Sequence, residues 1–354
     1  MSTLILPVAG QSTRFKGMRP KWLLTMPCGS LMIEKSISKM QLNRFERIVI
    51  ICLKEHIEKY VDFEKLQKKL SDKISIDVKW VVLEDPTNSQ SETIYRGIAA
   101  SNTTGPIFIK DCDNVFSYEY NSGNEIAVID LNKIDLIDAK NKSYVQVSEL
   151  GEVTNIVEKQ VISNKFCCGG YGFKEASDFI RTFDKLTAIF SDELYVSHII
   201  YDMILSDINF IASDAADYID WGTKAEFLTH TRKFVTIFCD IDGVLLENGS
   251  EISKNGWNTE PINENIAALI RLRTEGRLFL ILTTSRSEAE EEQTLKILSQ
   301  HGIVPDRTLF GLPHTQRYLI NDFAPTNPYP SALAINIERN SNKLQNLFAE
   351  DMMK

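Results

Sequence analysis

The sequence predicts an α/β protein built from two domains. Apolar, β-branched runs alternate with longer amphipathic segments, and the runs are apolar at successive positions, as strands buried on both faces require. The strand-loop-helix order starts afresh after a polar stretch at 229–233. At a typical ~150 residues per domain, 354 residues are enough for two cores.

Along the chain, residues 4–8, 47–53, 76–83, 106–109 and 125–130 read as strands, and 32–45 and 56–71 as helices. Gly123, Gly151 and the Gly169-Gly170 pair punctuate a middle stretch richer in strands, which reads as an insertion completing a substrate cleft. The boundary is expected near residue 231, giving domains of 1–230 and 231–354. Beyond it, 234–239, Leu278–Thr283 and 318–322 read as strands. There is no internal repeat, low-complexity tract or long linker.

Charge narrows the partners. With 48 Asp and Glu against 39 Lys and Arg the net charge is −9, which repels phosphate backbones and anionic lipid over most of the surface. Neither nucleic acid nor membrane is expected as a partner, although a local cluster of Lys and Arg can still hold a small phosphorylated substrate. The six cysteines lack C-x-x-C spacing and lie mostly in apolar runs, so reduced, buried thiols are expected. No run approaches the ~18 apolar residues of a membrane span, and the first residues lack a basic region and a cleavage site. These features point to a soluble, cytoplasmic protein.

The first strand runs through Ala9-Gly10 into a loop of small residues carrying Arg14, with Pro20-Lys21 after it. Backbone N–H groups of such a loop can approach phosphate oxygens, and Arg14 and Lys21 supply the neutralising charge. Neither a Walker loop nor a dinucleotide fingerprint is present. The run A-G-x-x-x-R followed by P-K resembles the signature of the sugar-phosphate nucleotidyltransferases, the nucleoside-diphosphate-sugar pyrophosphorylases and their relatives. Ser12 stands where that family usually has a second glycine.

The resemblance extends to about residue 228 and implies a Rossmann-like fold with a GT-A-like mixed sheet. It makes Asp113, in Lys110-Asp111-Cys112-Asp113-Asn114, the first metal-ligand aspartate, and Asp220, in Asp220-Trp221-Gly222-Thr223, the second. Two carboxylates brought together from distant strand ends suit Mg2+, which arrives with substrate phosphates. The resemblance also implies a nucleotide site of Ala9, Gly10, Arg14, Lys21 and Gln90, and a substrate site of Glu158, Lys159, Gly170 and Glu193. In the implied reaction, a phosphate oxygen of a sugar or polyol phosphate attacks the α-phosphorus of a nucleoside triphosphate, and pyrophosphate leaves. Arg14 and Lys21 are the expected catalytic cations, and CTP or dTTP is favoured over GTP. Precursor supply for capsule or lipopolysaccharide is the role the family implies.

The second domain opens with Phe238-Cys239-Asp240-Ile241-Asp242-Gly243, a strand ending in two aspartates. An aspartate beside Mg2+ can accept a phosphoryl group, and a second can protonate the leaving group. The motif resembles the haloacid-dehalogenase-like (HAD-like) phosphatases, and the resemblance makes Asp240 and Asp242 catalytic and metal-binding, Thr284 a phosphate-binding hydroxyl, and Asp322 a further Mg2+ ligand. Gaps of 44 residues from Asp240 to Thr284 and 38 from Thr284 to Asp322 leave no room for a cap domain. An uncapped site favours a homo-oligomer. The lysine that phosphatases of this family place before the last motif is missing, since no lysine lies between Lys296 and Lys343, with Arg307 or Arg317 as substitutes.

His56, His198, His230, His301 and His314 share no metal-ligand spacing, and Cys167-Cys168 point to opposite faces of a strand. Two other readings stay open. A glycosyltransferase would use Asp111 and Asp113 as a D-x-D on a nucleotide sugar, and the second domain would be an assembly module without catalysis.

Overall fold

The computed structural model describes residues 2–134, 139–189, 192–322 and 332–348. The chain divides into two compact units, Met1–Phe227 and Leu228–Lys354. In the first, β1 (Ser2–Pro7), β2 (Phe45–Leu53), β3 (Asp77–Leu83), β4 (Ile107–Lys110), β6 (Glu125–Asp130), β9 (Lys165–Phe173) and β10 (Ile211–Asp214) form one sheet in the order β10-β6-β9-β4-β1-β2-β3. Strands β7 (Tyr144–Val147) and β8 (Val153–Val157) join it beside β9, and β5 (Asn114–Ser117) pairs separately with β11 (Ala216–Asp220). The β4-β1-β2-β3 half is parallel, while β9 runs antiparallel to both β4 and β6.

Alternate residues of the parallel strands feed two cores. Leu4, Leu6, Ile48 and Ile50 pack on one face with α1 (Met32–Ile37), α2 (Lys54–Tyr60) and α3 (Phe63–Ser71). Ile5, Val49 and Ile51 pack on the other with α4 (Gln90–Ser101), α5 (Ala176–Thr187) and α6 (Val196–Leu205). Each such buried side chain contributes about 1.5–3 kcal/mol over its exposed state. Helix α4 lies so close to β2 that a Cβ on Gly97 would fall 2.0 Å from Ile51 Cδ1. Cys167 and Cys168 enter opposite cores, and all six cysteines are free thiols.

Two helices expected from periodicity are shorter than expected. The 32–45 stretch is α-helical only through Ile37, and a single 3-10 turn at Leu42–Arg44 then leads into β2 at Phe45. The 56–71 stretch breaks after Tyr60, where Asp62 starts a new helix by accepting the Lys65 backbone N–H. The polar stretch expected as a connection lies largely within α7 (Lys224–Arg232), whose first turn is closed by Thr223 and Glu226.

In the second unit, β12 (Val235–Asp240), β13 (Leu278–Thr283) and β14 (Arg307–Leu309) form a parallel sheet in the order β12-β13-β14. Cys239, Leu280 and Leu282 pack with α8 (Asn263–Thr274), α9 (Glu291–Gln300) and α10 (Leu344–Leu347). Phe238, Phe279 and Leu309, on the other face, are exposed. The segment 318–322, expected as a strand, is irregular, and Tyr318, Leu319 and Ile320 are exposed. The third strand is instead Arg307–Leu309. Among the described residues, no helix is long and apolar enough to cross a membrane.

Candidate active site

Strands β1 and β4 are parallel neighbours, so the loop after Pro7 and the acidic run after Lys110 leave the sheet at the same edge. The carboxyl ends of parallel strands are where open α/β sheets bind ligands. Ala9 is buried, and Gly10 and Arg14 are exposed. Ser12 takes a left-handed conformation (φ 52°), and its Oγ accepts the Lys21 backbone N–H at 3.1 Å. The serine in place of glycine therefore ties the loop to the lysine.

Lys21 Nζ bridges Asp113 Oδ2 at 2.5 Å, with the two side chains 17% and 19% exposed. Burial alone would raise the Asp113 carboxyl, but Lys21, with smaller contributions from Lys142 and Arg14, holds it below the usual carboxylate range. For Lys21, burial opposes the charge, and Asp113 outweighs it and leaves the ammonium above its ordinary value.

Asp220 ends β11, paired with Asn114, and the Trp221 backbone N–H donates to the Asp113 carbonyl at 2.7 Å. These bonds bring the two aspartates together. A Cβ on Gly222 would lie 3.2 Å from Asp220 Oδ1 and 3.6 Å from Asp113 Oδ2, so both carboxylates face the space that glycine leaves open. Two hard oxygen donors at a shared opening fit Mg2+, whose remaining ligands are water and phosphate oxygens.

Asp111 plays a different part. The Gln90 side-chain amide donates to its Oδ1 at 2.5 Å, and burial together with the Asp113 charge pushes it up to about 6. Gln90, expected at the nucleobase, is thus engaged with Asp111 at the start of α4. Beneath the loop, buried Lys110 donates to the backbone carbonyls of Asp111 and Asn114, at 2.6 and 3.0 Å, and to Asn114 Oδ1 at 2.5 Å. Burial pushes this lysine down to about 8. Its three bonds brace the turn that carries Asp113.

In the turn that follows β8, Glu158 accepts from Ser143 and Ser197, while Lys159 (φ 55°) donates to Tyr195 Oη at 2.5 Å. That bond raises the Lys159 pKa, and Tyr195 in turn donates to exposed Glu193 at 2.5 Å. Gly170 is placed differently from its expected substrate role. A Cβ there would lie 2.8 Å from Phe108 and Phe116, so it fits the strand into the core. Lys142, unmarked by any motif, bridges Asp220.

In the second unit, Arg286 is 1% exposed and holds Asp242 with two bonds, Nε to Oδ2 at 3.0 Å and Nη2 to Oδ1 at 2.7 Å. Thr284 Oγ1 lies 3.4 Å from Asp242 Oδ2 and accepts the Arg286 backbone N–H. Arg317 Nη1 stands 3.5 Å from Asp240 Oδ1, whereas Arg307 donates to the Asp306 carbonyl, so Arg317 is the arginine beside the first aspartate. Asp322 lies in the exposed irregular segment. The structure does not gather Asp240, Asp242 and Asp322, and among the described residues no three His, Cys, Asp or Glu side chains form a metal site.

Residues 4–120 match the MobA-like NTP transferase domain family. Among solved structures, the chain is similar to the nucleoside-diphosphate-sugar pyrophosphorylase of Vibrio cholerae RC9, at 20% identity over 65% of this chain and 99% of that one, with a TM-score of 0.55. It is also similar to a UDP-glucose pyrophosphorylase complexed with UDP-glucose, at 16% identity over 65% and 97% with a TM-score of 0.53. A third similar structure is the inositol-1-phosphate CTP transferase of T. maritima, at 16% identity over 64% and 90% with a TM-score of 0.50. No curated protein sequence matches the chain. The first unit has the Rossmann-like α/β fold of the nucleotidyltransferases.

Proposed function

We propose that the first unit is a nucleotidyltransferase that joins a nucleoside triphosphate, CTP or dTTP, to a sugar or polyol phosphate. The convergence of Asp113 and Asp220 at the strand end that also carries the Arg14 loop and Lys21 supports this reading most strongly. A CTP transferase and two sugar pyrophosphorylases among similar structures fit the substrate classes. The product would be an activated precursor of surface polysaccharide, capsule or lipopolysaccharide. Six free cysteines suit a cytoplasmic setting.

In this mechanism the loop backbone at 9–12, Arg14 and Lys21 bind the triphosphate and offset charge growing on the leaving pyrophosphate. Lys159, beside Glu158 in the turn after β8, orients the acceptor phosphate, and Glu158 and Glu193 offer acceptors to hydroxyl groups. Asp113 and Asp220 would hold Mg2+, which supplies positive charge between two anions that otherwise repel. Holding both reactants in line supplies much of the rate.

The test is pyrophosphate release from each common nucleoside triphosphate with Mg2+ and a panel of sugar and polyol phosphates. Release with one triphosphate is expected, dependent on the panel and reduced by about 10²–10³-fold or more in Asp113→Ala. Acceptor-dependent transfer from a nucleotide sugar without pyrophosphate would favour the glycosyltransferase reading. The bond between Gln90 and Asp111 weighs against it, because it already occupies one oxygen of Asp111, half of the D-x-D.

For the second unit we infer a HAD-like module without phosphatase chemistry. A general acid must be free to hold and pass a proton. Arg286 takes both oxygens of Asp242. The exposed apolar face of Phe238, Phe279 and Leu309 suits assembly into a homo-oligomer. Phosphate release from a monoester panel, lost in Asp240→Asn with an unchanged oligomer, would overturn this reading.

A further inference from the structure

Lys142 precedes β7 and belongs to none of the motifs, yet its Nζ bridges Asp220 Oδ2 and donates to Tyr218 Oη at 2.9 Å. The lysine side chain is 18% exposed and its partner 10%. Asp220 thereby mirrors Asp113, which is bridged by Lys21. Each of the two aspartates beside Gly222 is thus paired with one ammonium group, and a third carboxylate, Glu226, whose Oε2 would lie 3.8 Å from a Cβ on Gly222, accepts the Thr223 N–H instead. A divalent cation that takes Asp113 Oδ2 and Asp220 Oδ2 must displace these lysines.

Where Lys142 goes on release is set by its backbone. Its carbonyl accepts the Lys159 N–H at 3.1 Å, and the next ladder pair is Tyr144 with Val157. Lys142, just before β7, and Lys159, just after β8, are therefore neighbours at the end of this strand pair, one reaching Asp220 and the other Tyr195. Ser143, the next residue, donates to Glu158. A phosphorylated acceptor lying along Glu158 and Lys159 would place its phosphate within the sweep of the Lys142 side chain. A flexible four-carbon stem ending in a point charge suits such a move better than a planar guanidinium.

We propose that Lys142 is an exchangeable counter-ion and a catalytic lysine: it yields Asp220 to the divalent cation and takes up the acceptor phosphate. The inference rests on the transferase reading above and deepens it. In the transfer step an acceptor phosphate oxygen forms a bond to the α-phosphorus, and the bond from that phosphorus to the β-bridging oxygen breaks. Pyrophosphate leaves with the electron pair. No proton need move, because the acceptor is largely a dianion at neutral pH. Lys142 offsets the acceptor's charge as it approaches a second anion.

The experiment compares wild type, Lys142→Met and Lys142→Arg by two readouts. The first is Mn2+ binding without nucleotide, followed by electron paramagnetic resonance. Lys142→Met, with Asp220 no longer neutralised, is expected to bind roughly tenfold tighter, while Lys142→Arg stays near wild type. The second is steady-state pyrophosphate release. Lys142→Met is expected to raise the acceptor KM and lower kcat, together by about 10²-fold, with the triphosphate KM within about twofold of wild type. Unchanged or weaker Mn2+ binding in Lys142→Met overturns the exchange, and an unchanged acceptor KM overturns the catalytic assignment. A wild-type chain that releases no pyrophosphate with any triphosphate overturns the transferase reading and the catalytic assignment with it. Tighter Mn2+ binding in Lys142→Met would then still uphold the exchange.

Discussion

The chain carries two strand-end aspartate pairs, one assembled from distant segments and one from nearby positions, that are neutralised in opposite ways. In the first unit, Asp113 and Asp220 are each met by one lysine, and both carboxylates border an opening beside Gly222, whose backbone N–H donates to Asp220 Oδ1 at 3.0 Å. In the second, both oxygens of Asp242 are taken by a buried arginine that also donates to Thr294 and lies 4.9 Å from the Trp257 ring. A lysine ammonium is a single charge on a mobile stem, whereas a guanidinium with two parallel bonds is a fixed strut. The first pair can exchange partners, and the second is part of the scaffold. An acidic motif at a strand end thus announces a position, and its counter-ion decides whether chemistry can follow.

The comparison breaks most readily at Asp242. If that residue is scaffold, Asp242→Ala leaves a buried arginine uncompensated and should destabilise the second unit by about 3–5 kcal/mol. Urea unfolding, followed by hydrogen exchange of the β12 and β13 amides, measures this. The double variant Asp242→Ala/Arg286→Met removes both charges and should recover most of the loss. A single variant as stable as wild type would return Asp242 to the list of free acids.

A smaller effect sharpens the other side. Gly169 has φ 85°, and a Cβ there would lie 2.5 Å from Asp111 Oδ2 and 2.8 Å from Asn114 Nδ2. Gly169→Ala pays about 1–2 kcal/mol for the left-handed backbone. It also pushes on the turn that Lys110 braces, so pyrophosphate release should fall by more than the stability loss explains. Gly97→Ala, which crowds Ile51 in the core away from the carboxylates, is the control. It should cost stability while leaving the activity of the folded fraction unchanged.

The parallel strands were legible because they are apolar runs bounded by turns, and the carboxylates because motifs mark strand ends. What escaped the sequence depends on contacts between distant segments. Lys142 meets Asp220 across 78 positions, and Arg286 meets Asp242 across 44. No local pattern announces either pair. The packing at Gly170 has no local mark, because a glycine under a substrate and a glycine admitting Phe108 and Phe116 look the same in a line of letters. The 318–322 segment has the apolar run of a strand, but Tyr318, Leu319 and Ile320 are left exposed, so composition alone did not decide pairing.

The smallest expected effect concerns Asp240, whose companion is locked while its own carboxylate lies beside Arg317 and the Ile241 N–H. Burial raises the Asp240 pKa, with Arg317 opposing, so the folded value lies above the unfolded one of about 3.9. Across that window the folded state binds more protons than the unfolded chain, and stability falls as pH rises through it. At neutral pH the ionised group therefore costs stability. Asp240→Asn removes the charge and keeps the shape. The variant should be the more stable of the two at pH 7, and the difference should shrink as pH is lowered toward about 4. Urea midpoints across that range read the sign. A difference that grows in acid would mean that the ionised carboxylate is held by a favourable partner, and Asp240 would then resemble Asp113 more than a misplaced charge.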